Sequence, residues 1–257
     1  MIPLSTAKLT FFKSLLAKKY RYAEKMFLVE GIKMFEEVYR STFDIVAAVV
    51  LAEESEKISS FLPQNADFPL FVAKKEAFQQ LATLHSPEGM ITVIRFPATD
   101  NFGKMFTDIP PDFVGQGQHF LLENIQDPGN VGTILRIADW FGISQVICTE
   151  GTADVLNPKT LRSSMGAIFR VKVAYLKTIS PEFLALFPEL YAADMQGTPI
   201  QDTHFSANAC IVLGNEANGV SKTVLQQAKA FTIPRIGGAE SLNVGVAAGI
   251  IAYSLRH

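Results

Sequence analysis

From residue 119 to the C-terminus, short apolar runs alternate with helical segments, and this alternation constrains the fold more than any other feature of the chain. The runs at 119–124, 145–149, 169–173, 190–193, 209–213 and 230–233 have strand length. Helices are expected between and after them, at 130–141, 159–164, 181–186, 222–229 and 242–256. In the first of these, Val131, Ile134, Leu135 and Ala138 fall on one stripe of a 3.6-residue period. Strands alternating with helices predict an α/β fold, a parallel sheet flanked by helices on both faces. Ligands on such sheets gather beyond the carboxyl ends of the strands. The loops after Asn124, Leu213 and Ile233 are expected to converge there.

The first third reads as a separate, small α/β N-terminal unit. Residues 6–40 read as one or two helices with a break near Phe27-Leu28-Val29-Glu30-Gly31. Apolar runs at 44–51, 69–72 and 90–94 read as strands, with helical segments near 53–60 and 74–83. Residues 96–118 hold Pro97, Gly103, Pro110, Pro111, Gly115 and Gly117 with little periodicity, the mark of a linker. The expected organisation is a domain over 1–96, a linker over 97–118 and a second domain over 119–257. A chain of 257 residues with 48% hydrophobic and 19% charged residues can build such cores.

The net charge of −2 excludes a general polycation, so a nucleic-acid partner would need a local patch. Residues 1–40 offer one: Lys8, Lys13, Lys18, Lys19, Arg21, Lys25, Lys33 and Arg40 outnumber Glu24, Glu30, Glu36 and Glu37. On charge alone such a run is usually a solvated helix face. Cys148 and Cys210 lie far apart in apolar strand-like runs, with no CxxC pair, so neither a zinc site nor a disulfide framework is indicated. Free thiols fit a reducing compartment. Lysines interrupt the N-terminus, and the longest apolar stretch, 242–255, contains Asn243, two glycines and Ser254. The expectation is a cytoplasmic protein with no membrane span and no metal.

Three motifs sit where strands end. The first runs Glu123-Asn124-Ile125-Gln126-Asp127-Pro128-Gly129-Asn130-Val131-Gly132-Thr133-Ile134-Leu135-Arg136. Read alone, Asn130 is a helix N-cap and Arg136 an exposed helix residue. The second runs Ile211-Val212-Leu213-Gly214-Asn215-Glu216-Ala217-Asn218-Gly219-Val220-Ser221. A turn with Ser221 as cap explains Gly219 and Ser221, but not a Glu placed directly after a buried strand. The third runs from Ile233-Pro234-Arg235-Ile236-Gly237-Gly238 to Ala239-Glu240-Ser241-Leu242-Asn243-Val244. There Ser241 reads as the cap of the last helix, and Asn243 needs a polar partner if buried. No G-x-G-x-x-G with an acidic ribose contact occurs, which argues against a Rossmann-type nucleotide enzyme.

Together and in this order, the motifs resemble the SpoU (TrmH) family of RNA 2'-O-ribose methyltransferases. The likeness rests on N-x-G-x-x-x-R at 130–136, L-G-N-E-x-x-G at 213–219 and I-P-x-x-G-x-x-x-S-L-N-V at 233–244. The stretch Ser164-Met165-Gly166-Ala167-Ile168-Phe169-Arg170 is a weaker fourth block. Residues 1–95 resemble the family's smaller substrate-binding domain, chiefly through 27–31. Small departures stand at Thr133, where alanine is usual, and at Arg235 and Ile236.

The resemblance implies a C-terminal trefoil knot over about 190–257, which no sequence pattern could reveal. It implies S-adenosylmethionine as cofactor, lined by Leu213, Gly214, Ile233 and Leu242. It also implies methyl transfer to a ribose 2'-hydroxyl of RNA, a homodimer, and RNA contact by the basic N-terminal helices. A separate N-terminal domain favours ribosomal over transfer RNA. Arg136 is implied as the activating group, with Asn130, Glu216, Ser241 and Asn243 orienting it and the ribose. Two roles for Arg136 stay open: a base with a severely depressed pKa, or a bidentate phosphate and alkoxide binder. The alternative from another class is a non-catalytic RNA-binding or ribosome-assembly protein on the same fold.

Overall fold

The computed structural model describes residues 1–63, 66–97, 105–107, 114, 116–143 and 145–256. Its first elements are β1 (Ile2–Pro3), α1 (Thr6–Ser14), α2 (Lys18–Glu24), β2 (Met26–Glu30), α3 (Ile32–Tyr39), β3 (Ile45–Leu51), α4 (Ser55–Phe61), β4 (Leu70–Ala73), α5 (Lys75–Gln79) and β5 (Met90–Arg95). There follow β6 (Met105–Phe106), β7 (His119–Leu122), α6 (Pro128–Trp140), β8 (Gln145–Thr149), α7 (Pro158–Ser164), β9 (Lys172–Leu176) and α8 (Pro181–Leu184). The last are β10 (Leu190–Pro199), β11 (Cys210–Leu213), α9 (Lys222–Leu225), β12 (Lys229–Thr232) and α10 (Val244–Ser254).

The chain forms two compact units. The first comprises Met1–Asp100 and Leu156–Phe169, the second Asn101–Val155 and Arg170–His257. The first unit is built on a five-stranded sheet of order β1-β4-β3-β5-β2. Its β1, β4 and β3 run parallel, while β5 is antiparallel to both β3 and β2. Strand β3 shows why this sheet buries two faces. Ala47 and Val49 join one core with Phe12, Phe71 and Phe78, and the alternating Ala48 and Val50 join another with Phe35, Ile58 and Met90. Helix α7 packs on β2 in this unit, although it lies between β8 and β9 in sequence.

The second unit carries a seven-stranded sheet of order β12-β10-β11-β7-β8-β9-β6, with every pairing parallel. Every residue of β7, β8 and β11 is buried, as a parallel sheet covered on both faces requires. Helix α6 buries Val131, Ile134, Leu135 and Ala138, the stripe expected from periodicity. All seven strands point the same way, so the loops after β7, β11 and β12 leave from one edge of the sheet.

Several local readings change. The break at residues 27–31 is a strand, because Phe27, Leu28 and Val29 are apolar, buried and paired with β5. Helix α9 stops at Leu225 rather than 229, and Lys229 already pairs with Tyr191 as β12 begins. Strand β10 runs to Pro199, six residues past its apolar part, because Thr198 and Pro199 pair with Phe231 and Thr232 after a bulge. Within the Gly- and Pro-rich stretch, Met105–Phe106 forms an edge strand on β9. Gly103, Pro110, Pro111 and Gly115 lie outside the described residues.

Candidate functional site

Strand β7 ends at Leu122, and Asn124 turns the chain with φ 57°, a left-handed conformation that asparagine tolerates better than most residues. The turn is pinned by Thr149 at the end of β8. The Asn124 backbone N–H donates to Thr149 Oγ1 at 2.9 Å, and that hydroxyl donates to Asn124 Oδ1 at 3.0 Å. Helix α6 then starts on a Pro at N1. Its cap is Asp127, not Asn130: Asp127 Oδ1 accepts the Asn130 N–H at 2.9 Å. Asn130 therefore sits inside the first turn with its carboxamide free for other partners.

The loop after β11 is clamped at both ends by neighbours in the β7 motif. Asn215 Nδ2 donates to the Asn124 carbonyl at 2.8 Å, and the Ser221 N–H donates to the buried Glu123 carboxylate at 2.9 Å. Gly214 fits only because it lacks a side chain. A Cβ there would stand 2.2 Å from the Gly219 carbonyl carbon, against the returning strand of the loop. The clamp presents Glu216 at the exposed tip.

The loop after β12 ends at α10, whose cap is Asn243 rather than Ser241. Asn243 Oδ1 accepts from the Gly245 and Val246 N–H groups at 2.9 and 3.3 Å. Those donors dictate the rest of the chain of bonds. With its oxygen committed, Asn243 offers Nδ2, which donates to Asn130 Oδ1 at 2.9 Å. Asn130 then offers Nδ2, which donates to Glu216 Oε1 at 2.8 Å. The first turn of α6 and the loops after β11 and β12 are thus joined in one relay of fixed polarity, running from a helix N-terminus to a carboxylate. Glu216 is exposed, and its Oε2 makes no hydrogen bond among the described residues.

Arg136 is exposed on α6, six residues beyond Asn130, and makes no hydrogen bond or ion pair among the described residues. Ser241 is exposed, outside the relay, and no longer a cap. Leu213 is buried at the end of β11, with its carbonyl accepting from the Glu123 N–H at 2.9 Å. Ile233 is half-buried, Leu242 is 49% exposed, and a Cβ at Gly237 or Gly238 would meet open space. Of the departures, Arg235 reaches its own loop at Ala239 and Ile236 is fully exposed. Sequence reasoning missed the clamp by Glu123 and the cap by Asp127. A buried acid one residue before a strand-end turn, and an Asp directly before Pro-Gly, were the available signals. Among the described residues no three His, Cys, Asp or Glu side chains are grouped to hold a metal. No helix among them is long and apolar enough to cross a membrane.

Residues 117–253 match the model of the SpoU rRNA Methylase family, and residues 7–92 match that of the MRM3-like substrate binding domain. The 23S rRNA (guanosine(2553)-2'-O)-methyltransferase RlmP of Bacillus subtilis is 32% identical over 253 residues, spanning 97% of this chain and 96% of that protein. A solved Porphyromonas gingivalis structure assigned to the TrmH family of RNA methyltransferases superposes with TM-score 0.82 at 33% identity, covering 98% of each chain. The SpoU methyltransferase AviRb from Streptomyces viridochromogenes, solved in complex with AdoMet, superposes with TM-score 0.81 at 24% identity, covering 98% and 97% of the two chains. At that identity the likeness concerns the fold.

Proposed function

The chain belongs to the SpoU rRNA methylase family, and from that premise we propose that it transfers a methyl group from S-adenosylmethionine to a ribose 2'-hydroxyl of 23S ribosomal RNA. The observation that carries the reading is the Asn243–Asn130–Glu216 relay at the carboxyl edge of a parallel sheet. The RlmP relative, matched along nearly its whole length, is named for this reaction.

Cofactor binding is assigned to Leu213, Gly214, Ile233 and Leu242, and the donor set fits an adenosyl group. Half-buried Ile233 and exposed Leu242 offer apolar faces for a flat base. The open Gly237–Gly238 stretch allows close approach of main-chain donors and acceptors, while Gly214 lets the loop after β11 fold back on itself beside the site. When bound, the cofactor supplies an electrophilic sulfonium methyl. The trefoil knot over about 190–257 belongs to the same reading. Its support is membership of the family, whose model matches residues 117–253.

The chain's own work is alignment and charge. Fixing the 2'-oxygen in line with the methyl supplies a large share of the rate, up to roughly 7–11 kcal/mol in favourable systems. Glu216, held through Oε1, keeps Oε2 for a ribose hydroxyl or for the Arg136 guanidinium. Arg136 is exposed, and a guanidinium holds its proton across the physiological range. We therefore assign Arg136 to the phosphate next to the target ribose and to the developing alkoxide, where its planar fork fits two oxygens. Ser241, freed from capping, is assigned to the ribose.

A homodimer is part of the proposal. Val246, Ile250 and Tyr253 repeat along the outer face of α10 with 53%, 37% and 58% exposure, and Trp140 on α6 is 84% exposed. Apolar surface in such a row marks an interface. The N-terminal lysines, with Lys8 over Phe12 and Lys18 over Tyr22, are assigned to RNA phosphates.

The test is labelled methyl transfer from S-adenosylmethionine to 23S rRNA from cells lacking this protein, followed by mapping of the modified ribose. Cofactor binding without transfer to any RNA would support the assembly-protein alternative instead.

A further inference from the structure

Helices α6 and α10 meet turn by turn, with Gly245 facing Thr133 and Gly249 facing Ile137. The two contacts differ in tightness. A Cβ on Gly249 would stand 3.7 Å from Ile137 Cδ1, an ordinary van der Waals separation. A Cβ on Gly245 would stand 3.1 Å from Thr133 Cγ2, 3.4 Å from Thr133 Cβ and 3.1 Å from Asn243 Oδ1. Of these two contacts, the tighter one lies at the turn that leads into the site. One turn further on, Asn130 and Asn243 bond across the gap at 2.9 Å.

We propose that Gly245 is a positioning residue for methyl transfer: its bare α-carbon, seated against Thr133, sets the α6–α10 separation at which Asn130 and Asn243 can bond. The inference rests on the function proposed above and adds to it a residue that touches no reactant. Glu216 has one hydrogen bond among the described residues, the one from Asn130. Asn130 is in turn oriented by Asn243. A methyl on residue 245 presses on Thr133 and on the Asn243 carboxamide together, so the relay yields at its tightest point. The helix itself need not suffer, because alanine is the better helix former at both glycines.

Four full-length proteins test this: wild type, Gly245→Ala, Gly249→Ala and the double variant Thr133→Ala/Gly245→Ala. The measurements are kcat and KM for methyl transfer to unmodified RNA, calorimetric affinity for S-adenosylmethionine, and the melting temperature. Gly245→Ala should lose roughly ten- to hundredfold in kcat, the scale of a sub-ångström to ångström misplacement of a reacting group. Its cofactor affinity and melting temperature should hold. Gly249→Ala, with the same gain in helix propensity, should turn over like wild type. Removing Thr133 Cγ2 in the double variant should recover most of the lost kcat. The inference is overturned if Gly245→Ala matches Gly249→Ala, or if the double variant recovers nothing. A crystal structure of Gly245→Ala tests it without activity. An Asn130–Asn243 contact opened beyond hydrogen-bond reach supports it, and an unchanged 2.9 Å contact sinks it. Failure of wild type to methylate any RNA would count against the proposed function alone, since the crystallographic readout stands apart from turnover.

Discussion

Asn130 donates through Nδ2 to Glu216 Oε1 at 2.8 Å, tying the first turn of α6 to a loop 86 residues later in the chain. The bond has a polarity that only an amide can satisfy, since Asn130 must also accept from Asn243. Asn130→Asp keeps the shape and removes the donor, setting two carboxylates side by side. Like charges at that distance cannot both stay ionised without cost. Asn130→Asp should therefore lose at least as much kcat as Asn130→Ala, on the order of ten- to hundredfold. Single-turnover methyl transfer with saturating RNA checks this. An Asn130→Asp enzyme that works like wild type would remove the relay from the mechanism.

Arg136→Lys separates charge from geometry. Lysine keeps the positive charge but cannot make two parallel bonds to a phosphate. If Arg136 binds phosphate and alkoxide, the substitution should cost roughly a hundredfold in kcat, with the melting temperature unchanged. Stability has no reason to move, because Arg136 is exposed and bonds to nothing among the described residues. A lysine variant within severalfold of wild type would leave Arg136 with only a steering role.

Much of the second unit was legible because its signals are local and repeated. The 145–149 strand and the apolar stripe of α6 follow from residue type alone. The caps were legible only as competing candidates. Asn130 and Ser241 are good cap residues, but Asp127 and Asn243 won, each because its side-chain oxygen meets the first free N–H groups. That outcome releases Asn130 and Ser241 for other work, which no sequence pattern foretells. Strand β2 was hidden because its five residues lie between two helices and gain their partner, β5, from about 65 residues away. The polar end of β10 was hidden for the same reason, since pairing with β12 makes it a strand. The motif residues could be named from the sequence, but their hydrogen-bonded order could not. It depends on the start of α6 and two later loops meeting across more than 110 residues of chain.

Gly214→Ala tests the loop that carries Glu216. A methyl there would overlap the Gly219–Val220 backbone, with the nearest atom at 2.2 Å. Backbone cannot step aside as a flexible side chain can, so the loop must shift. A cost of about 1–3 kcal/mol is expected from such overpacking. Urea denaturation should show a lower midpoint with an unchanged slope, and methyl transfer should fall with it. A variant as stable as wild type would mean that the loop is free to move.

The outer face of α10 predicts the assembly. Ile250→Asp places a charge in the middle of the Val246–Ile250–Tyr253 row. Sedimentation should show wild type as a dimer and Ile250→Asp as a monomer, with the helix content of the two alike. A wild-type monomer at micromolar concentration would leave the row without the partner assigned to it.

Cys148 and Cys210 make a prediction that depends on neither RNA nor cofactor. Both are fully buried in the sheet, on β8 and β11, and burial pushes both thiols far above the usual range. For Cys148 the nearby Asp154 carboxylate adds to the rise. The folded chain thus keeps two protons that the unfolded chain releases above a pH of about 8.5. Stability falls with rising pH wherever the unfolded state binds fewer protons, and two groups give a slope of up to about 2.7 kcal/mol per pH unit. Below the ordinary thiol range neither group contributes any pH dependence. Denaturant midpoints measured from pH 7 to 10 should therefore decline more steeply for wild type than for Cys148→Ala/Cys210→Ala, whatever the double variant loses at pH 7. Iodoacetamide at pH 8 should leave the folded protein unlabelled and modify both cysteines once urea unfolds it. Labelling of either thiol in the native state would show that its strand opens to water, and the expected slope would shrink accordingly.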